Sequence, residues 1–338
     1  MIYLDNGATT RPLPNKYRDI DNLWLNSYTP YSNGDMLLWE CRERIAKCIN
    51  CKPNEIYFTS GGCEGNTWCI NLLYDMLNNS SSCFNPTGGR KVRVSPNEHK
   101  SIMNNPRVES SPSPLQEVVK DNFDSCMLIN NETGVMYDCK SIHKDMVQAL
   151  GKVKVDVKEL GCKMASFSGH KVHGEKGVGM VYISNDIDVK PFIYGGGQER
   201  GVRGGTSNLE GILHMTDCVE IMTSDRHLAK NKYLWDYFLW KVHRSELILN
   251  TIPAIPTFSL RNDKGISGEY IVNRLAEKEI YISTGSACST GEPSYVLKNL
   301  GLTNDEANAT IRVSLDGEEN STEDIDIFFK EIGGILNE

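Results

Sequence analysis

Alternation constrains this chain more than any other feature: short apolar runs of strand length recur between stretches whose apolar residues fall at helical spacing. Leu37 to Ile49 carries apolar residues at helical intervals with charges between them. Lys52-Pro53-Asn54 breaks that helix, and Ile56-Tyr57-Phe58-Thr59 follows as a short strand that meets Ser60-Gly61-Gly62. The rhythm returns through Cys126-Met127-Leu128-Ile129, Val178 to Ile183, and a long helical stretch from Glu210 to Val242. Such alternation implies crossover units, hence an α/β fold around a mostly parallel sheet. From about Lys230 onward, strand-like Thr257-Phe258-Ser259-Leu260, a helix near Glu269 to Lys278 and Ile311-Arg312-Val313-Ser314 predict a smaller α+β lobe, which the first dozen residues join. The expected division is a large domain over 14–225 and a small domain of 1–13 with 226–338. With 338 residues and 39% hydrophobic content, the chain can bury cores for both.

Its 44 acidic against 36 basic residues give a net charge of −8, with no basic block to neutralise phosphates, so no direct nucleic-acid partner is expected. The start, Met1-Ile2-Tyr3-Leu4-Asp5-Asn6, has neither the basic nor the apolar region of a secretory signal, and no apolar run is long enough to span a bilayer. A cytoplasmic location follows as the expectation, and with it eleven cysteines kept as thiols, most of them small core residues. Cys48-Ile49-Asn50-Cys51 lacks a second pair or a nearby histidine to complete a tetrahedral site. It reads as a helix end packed on the core, and no metal is expected.

The chemistry gathers around Ser166-Phe167-Ser168-Gly169-His170-Lys171, where small residues and hydroxyls precede a lysine and Gly174, Gly177 and Gly179 follow it just before a strand. A lysine that forms a Schiff base must sit on a rigid turn near groups that bind a phosphate and lower its pKa. Taken alone, the segment only suggests this, and an exposed turn lysine is the default reading. Cys288 lies in Ser283-Thr284-Gly285-Ser286-Ala287-Cys288-Ser289-Thr290-Gly291, a run of small residues that reads as a mobile loop, where an exposed thiol has no packing purpose.

Eight ordered segments then carry a resemblance across nearly the whole chain: residues 3–10, 56–64, 98–100 (Glu-His-Lys), 130–134 (Asn-Asn-Glu-Thr-Gly), the Lys171 segment, 199–206, 285–288 (Gly-Ser-Ala-Cys) and 311–315. In them the sequence resembles the cysteine desulfurases, the NifS/IscS-like group of class-V aminotransferases. The resemblance implies the fold type I of pyridoxal 5'-phosphate (PLP) transferases and a homodimer. It implies that Lys171 holds PLP as a Schiff base and shuttles the substrate α-proton, with His99 stacked on the ring and able to assist. A carboxylate must keep the pyridine nitrogen protonated. Asp156 lies only 15 residues before Lys171, whereas Asp145 lies 26 before it, an interval similar to the family's, and Gln148 then falls where the family places a glutamine against the phenolic oxygen. Asp145 and Gln148 are therefore expected at the cofactor, and Asp156 in a surface turn.

Gly62, Cys63, Ser168 and His170 match the phosphate-binding positions, and Thr206 one supplied by the partner subunit. Cys63 stands where relatives carry threonine, and a thiol is the weaker donor. Asn131 resembles an asparagine that approaches ring and substrate, and Arg312 is expected to bind the substrate carboxylate as a bidentate fork. On Cys288, the resemblance implies attack on the sulfur of L-cysteine, leaving a persulfide and L-alanine, with the sulfur then passed to a protein acceptor for iron–sulfur cluster assembly, tRNA thiolation or another thio-modification. Glu292 to Leu297 is expected to open the helix that anchors the loop.

The chain also departs from the family. The segments between His99 and Asn130 and between Gly134 and Asp145 are short, so His143-Lys144-Asp145-Met146 is expected without its usual neighbouring strand, and Lys144, replacing an apolar residue, is expected to turn outward because a buried lysine is costly unless paired. The loop after Cys288 and the C-terminal end also read as shorter. A second class-V reading, a selenocysteine lyase or aminotransferase, needs Lys171 and the arginine but not uniformly the loop cysteine, so Cys288→Ala kinetics separate them. A non-catalytic scaffold for a sulfur-transfer partner is the third, and it has no need of Lys171, Asp145, His99 and Cys288 together.

Overall fold

The computed structural model describes residues 1–17, 26–28, 32–79, 89–111, 122–284 and 294–338. Its main sheet orders the strands Ile56–Thr59, Gly179–Ile183, Met164–Ser168 and His143–Asp145 side by side. Bridges from His143 to Ser125 and from Ser125 to Val94 lead on to the parallel pair Val92–Val94 and Val108–Ser110. Gly179–Ile183 runs against both neighbours, and the other pairings and bridges are parallel. The α/β expectation holds with that one antiparallel strand, which makes the sheet mixed. Ile56–Thr59, Met164–Ser168 and Gly179–Ile183 are buried at every position, as strands covered by helices on both faces must be.

The helix Gly34–Ile49 buries Leu38, Cys41, Ile45 and Ile49, a stripe at helical spacing, in one core with Met215, Val219 and Met222 of the helix Leu209–Met222. The opposite face receives Trp68, Cys69, Leu72 and Leu73 of the helix Gly62–Asn79, packed with Val92, Val94, Met164 and Val181. The expected single helical stretch is two helices, Leu209–Met222 and Asp225–Val242. Ser224 breaks it: its extended backbone and a side chain that accepts from His227 N make it the N-cap of the second.

A further core joins Leu4 to Phe238, Phe258, Ile311, Val313, Ile325 and Phe328, with the Phe238 and Phe258 rings 4.2 Å apart between centroids. Here Thr310–Ser314, Thr257–Asn262 and Leu247–Leu249 form an antiparallel sheet, and Ile2–Tyr3 pairs in parallel with Ile280–Tyr281. The N-terminal segment thus packs with residues more than 230 positions away, and the bridge from Asp5 to Ser314 ties its continuation to the end of the strand Thr310–Ser314.

Three expectations are corrected or refined. Lys144 is buried, not turned outward: its Nζ donates to Cys139 O at 2.7 Å, and burial lowers its pKa. Its segment does form a strand, supported by Met164–Ser168 on one side and Ser125 on the other. Cys126 and Cys139, expected as thiols, are joined in a disulfide. The chain doubles back between Leu128 and Tyr137, which brings both cysteines into one small buried cluster with Phe123 and Met127. Cys48 and Cys51 flank the end of Gly34–Ile49 and pack against the main core, as expected of a helix terminus.

Candidate functional site

Parallel strands deliver their carboxyl ends to one edge of the sheet, where α/β folds bind ligands. At that edge a cavity of about 270 Å³ is lined by Gly62, Cys63, His99, Asn131, Asp145, Gln148, Ser168, His170, Lys171 and Arg312. All of these were expected at the site from sequence. Two expected residues stand apart. Thr206 lines a separate cavity beside Thr59, Ser60 and Arg203, and Cys288 lies outside the described residues.

Lys171 ends the one-turn helix Gly169–Lys171 that follows the strand Met164–Ser168. Its Nζ donates to Gly7 O at 2.7 Å and to Ala8 O. Burial, then the Lys152 and Arg312 cations, pushes its pKa down to about 7, so near neutrality much of this amine is an uncharged nucleophile. Asp145, at the end of its strand, accepts from Asn66 Nδ2 through Oδ2 (2.7 Å) and from Val147 N through Oδ1 (2.9 Å). Gln148 Nε2 donates to Gly7 O at 2.8 Å, and its Oε1 accepts from Lys152 Nζ at 2.7 Å.

His99 is the N-cap of Lys100–Met103, its Nδ1 engaged by Ser101 Oγ (2.8 Å) and Ser101 N (3.2 Å). His170 pairs its Nδ1 with Thr9 Oγ1 at 3.1 Å, and burial followed by Lys171 pushes its pKa down to about 4. Arg312, on the strand Thr310–Ser314, is buried; Nη2 donates to Asp5 Oδ1 (2.7 Å), Nη1 to Asn131 O (3.0 Å), and among the described residues Nε has no hydrogen-bond partner. Ser294 caps the helix Tyr295–Asn299, as expected of a helix opening there. Asp156 accepts from Lys158 N and Glu159 N in a turn and is absent from the cavity wall.

Sequence reasoning passed over Asp5, Asn66, Glu132 and Lys152 as site residues. Asn66 follows the strand–glycine turn by four residues on the helix Gly62–Asn79, a position that could have drawn notice. Glu132 lines the cavity, is buried and accepts from Ser294 Oγ. Asp5 and Lys152 act through other side chains, and only the fold shows which.

A family model for class-V aminotransferases matches residues 105–328. The chain is similar to a cysteine desulfurase IscS of Clostridium botulinum, 29% identical over a 391-residue alignment that covers all of this chain and 94% of the relative. A cysteine desulfurase IscS of Methanosarcina thermophila is 30% identical over 378 residues, with 96% of this chain and 89% of the relative covered. Among solved structures, a NifS-like protein superposes with a TM-score of 0.83 at 27% identity over 99% of both chains. A second NifS-like protein, from Rickettsia africae, gives 0.82 at 26% identity over the full length of both.

Proposed function

The chain belongs to the class-V aminotransferases and, within them, to the cysteine desulfurases, and on that footing we propose that it converts L-cysteine to L-alanine while Cys288 receives the sulfur. The family is PLP-dependent, and the cavity fits that cofactor chemically. It offers an amine of lowered pKa at Lys171, a buried carboxylate at Asp145, and Ser168, His170 and the start of the Gly62–Asn79 helix for a phosphate. Asp145 would face the pyridine nitrogen, Gln148 the phenolic oxygen and His99 the ring. When bound, PLP supplies the electron sink that makes the substrate's α-hydrogen acidic.

The residues divide the remaining work. Arg312 binds and orients the substrate carboxylate, with Asn131 beside it; its bonds to Asp5 Oδ1 and Asn131 O support a guanidinium fixed before substrate arrives. Lys171, once free, takes and returns the α-proton at Nζ. Cys288 attacks as a thiolate: its sulfur bonds to the substrate sulfur, the carbon–sulfur bond breaks with its electron pair left on the substrate's β-carbon, that carbon takes up a proton, and L-alanine leaves once the α-proton is returned, with the persulfide on Cys288. The observation that carries this reading is the convergence of Lys171, Asp145, Gln148, His99 and Arg312 on one cavity.

Finer features of the reading are a homodimer in which Thr206 completes the other subunit's phosphate site, a cytoplasmic location and a protein sulfur acceptor. Among the described residues no helix is long and apolar enough to cross a membrane. The core that joins Leu4 to Phe238, Phe258, Ile311, Val313, Ile325 and Phe328 supports a small domain of 1–13 with 226–338 beside a large one over 14–225, with Ile255 and Leu13 packed on the main core at the junction. Mass spectrometry of alkylated protein after L-cysteine treatment tests the assignment. One added sulfur on the Cys288 peptide, with equimolar alanine, is expected. Alanine formed at the full rate by Cys288→Ala would overturn the role of Cys288.

A further inference from the structure

Lys152 is the least expected group beneath the cavity. It is buried, and among the described residues its Nζ makes one hydrogen bond, to Gln148 Oε1 at 2.7 Å, and no ion pair. Burying an ammonium against one neutral acceptor is unfavourable, and methionine would fill the same space without that cost. The local backbone is built for the contact. Ala149 N and Leu150 N both return to Met146 O, so the chain makes a helical turn that sets Gln148 and Lys152 four residues apart on one side. Gly151 then turns with φ +75°, where a Cβ would come within 2.8 Å of Met222 Cβ.

A carboxamide can face either way unless a partner decides. An ammonium has only donors, so it must meet the oxygen, and the amide nitrogen must then face the other way, toward Gly7 O. We propose that Lys152 is a positioning residue for the cofactor site: it locks the Gln148 amide with its NH2 on Gly7 O, the same carbonyl that holds Lys171 Nζ, and so sets a second positive charge close behind that amine. This rests on the reading that places Gln148 against the phenolic oxygen of PLP. Other charges meet the same two amines. Arg312 acts on Lys171 in the same direction as Lys152, and Asp5 and Asp145 oppose it, with the neutral His170 ring adjacent. On Lys152 itself burial is the largest influence, Asp316 favours its charge and Arg312 opposes it.

The test compares wild type, Lys152→Met, Lys152→Gln and Lys152→Arg in two measurements. In the protein freed of PLP, acetylation of Lys171 by acetic anhydride is followed against pH by mass spectrometry. In the protein reconstituted with PLP, the visible band is recorded, and kcat is separated from KM for L-cysteine. In Lys152→Met the acetylation midpoint rises by about one pH unit, the band shifts, and kcat falls more than KM changes. Lys152→Gln, whose amide can donate to Gln148 without a charge but can also accept, shows the raised midpoint with a smaller band shift than Lys152→Met. Lys152→Arg restores both. In a Gln148→Met background, Lys152→Met produces no further band shift. A Lys152→Met protein that melts like wild type with midpoint and band unchanged would overturn the proposal. If Lys152→Met does not fold, an unchanged midpoint in Lys152→Gln overturns the role of the charge in its place. Failure of the underlying reading looks different: wild type itself would show no Lys171-dependent band, while the acetylation comparison would still report on Lys152.

Discussion

At the scale of residues, the site is held together by groups whose charges the protein has adjusted. Lys171 titrates near 7 instead of the usual lysine range, so its neutral fraction grows as pH rises through 7 and is nearly complete by 8. The rate of PLP incorporation into cofactor-free protein, followed by the visible band, is predicted to rise through pH 7 and level off above about pH 8; a rise continuing toward pH 10 would show an unperturbed amine. Glu98 shows the opposite adjustment. Burial, then the Asp145 charge, pushes its pKa up to about 8, with Met127 N and Ser95 hydrogen-bonding the carboxyl. The folded state keeps this proton between about pH 4.5 and 8 where the unfolded chain has lost it, so Glu98 makes stability fall as pH rises across that window. Glu98→Gln is predicted to match wild type near pH 4.5 and to gain on it steadily up to pH 8 in thermal melts. Arg312→Gln is predicted to lower kcat/KM for L-cysteine roughly 10- to 100-fold, corresponding to about 1.5–3 kcal/mol for a charged hydrogen bond. Lys171, Asp145 and Gln148 were legible because the chemistry of a Schiff-base site fixes residue types and their spacing. Asn66 was not, because its bond to Asp145 joins residues 79 positions apart, and neither partner signals the other. Lys144 misled for a physical reason: the expectation weighed its charge and not the Cys139 carbonyl that the fold carries to its amine.

At the scale of elements, the joints between helices and strands aim the site. Gly134 closes the loop that carries Asn131 and Glu132 with φ +70°, and a Cβ there would lie 2.4 Å from Thr257 O. Gly134→Ala therefore needs both a strained backbone and a displaced strand, and is predicted to cost at least about 1–3 kcal/mol in denaturant unfolding. Ser224→Ala removes the cap of Asp225–Val242 and an exposed bond from Ser224 Oγ to Ile221 O, for which about 1 kcal/mol is expected; a smaller loss at Gly134 than at Ser224 would contradict this account of the loop. Strand–helix alternation was readable because periodicity is a local property. The break at Ser224 was not, since apolar spacing continues through it and only the serine's competing hydrogen bond decides the matter. The antiparallel course of Gly179–Ile183 depends on which strands become neighbours, which local pattern does not encode.

At the scale of the whole molecule, one segment stitches the site together. The N-terminal residues give Asp5 to Arg312, Ser314 Oγ accepts from Gly7 N, and Gly7 O accepts from both Lys171 and Gln148. Substrate-binding and cofactor-binding groups are thereby linked through a single stretch of backbone contributed by the chain's first residues. The alignment with the Clostridium botulinum relative runs over 391 positions against 338 residues here, in keeping with the short segments seen in the sequence. The central claim is that this cavity binds PLP through Lys171, and the absorption spectrum of the protein during titration with PLP tests it most directly. A visible band that grows to one equivalent, survives desalting and changes on adding L-cysteine is predicted for the wild type, with no such stable band in Lys171→Ala. A band that survives desalting equally in Lys171→Ala, or a wild-type protein that takes up no PLP, would contradict the account.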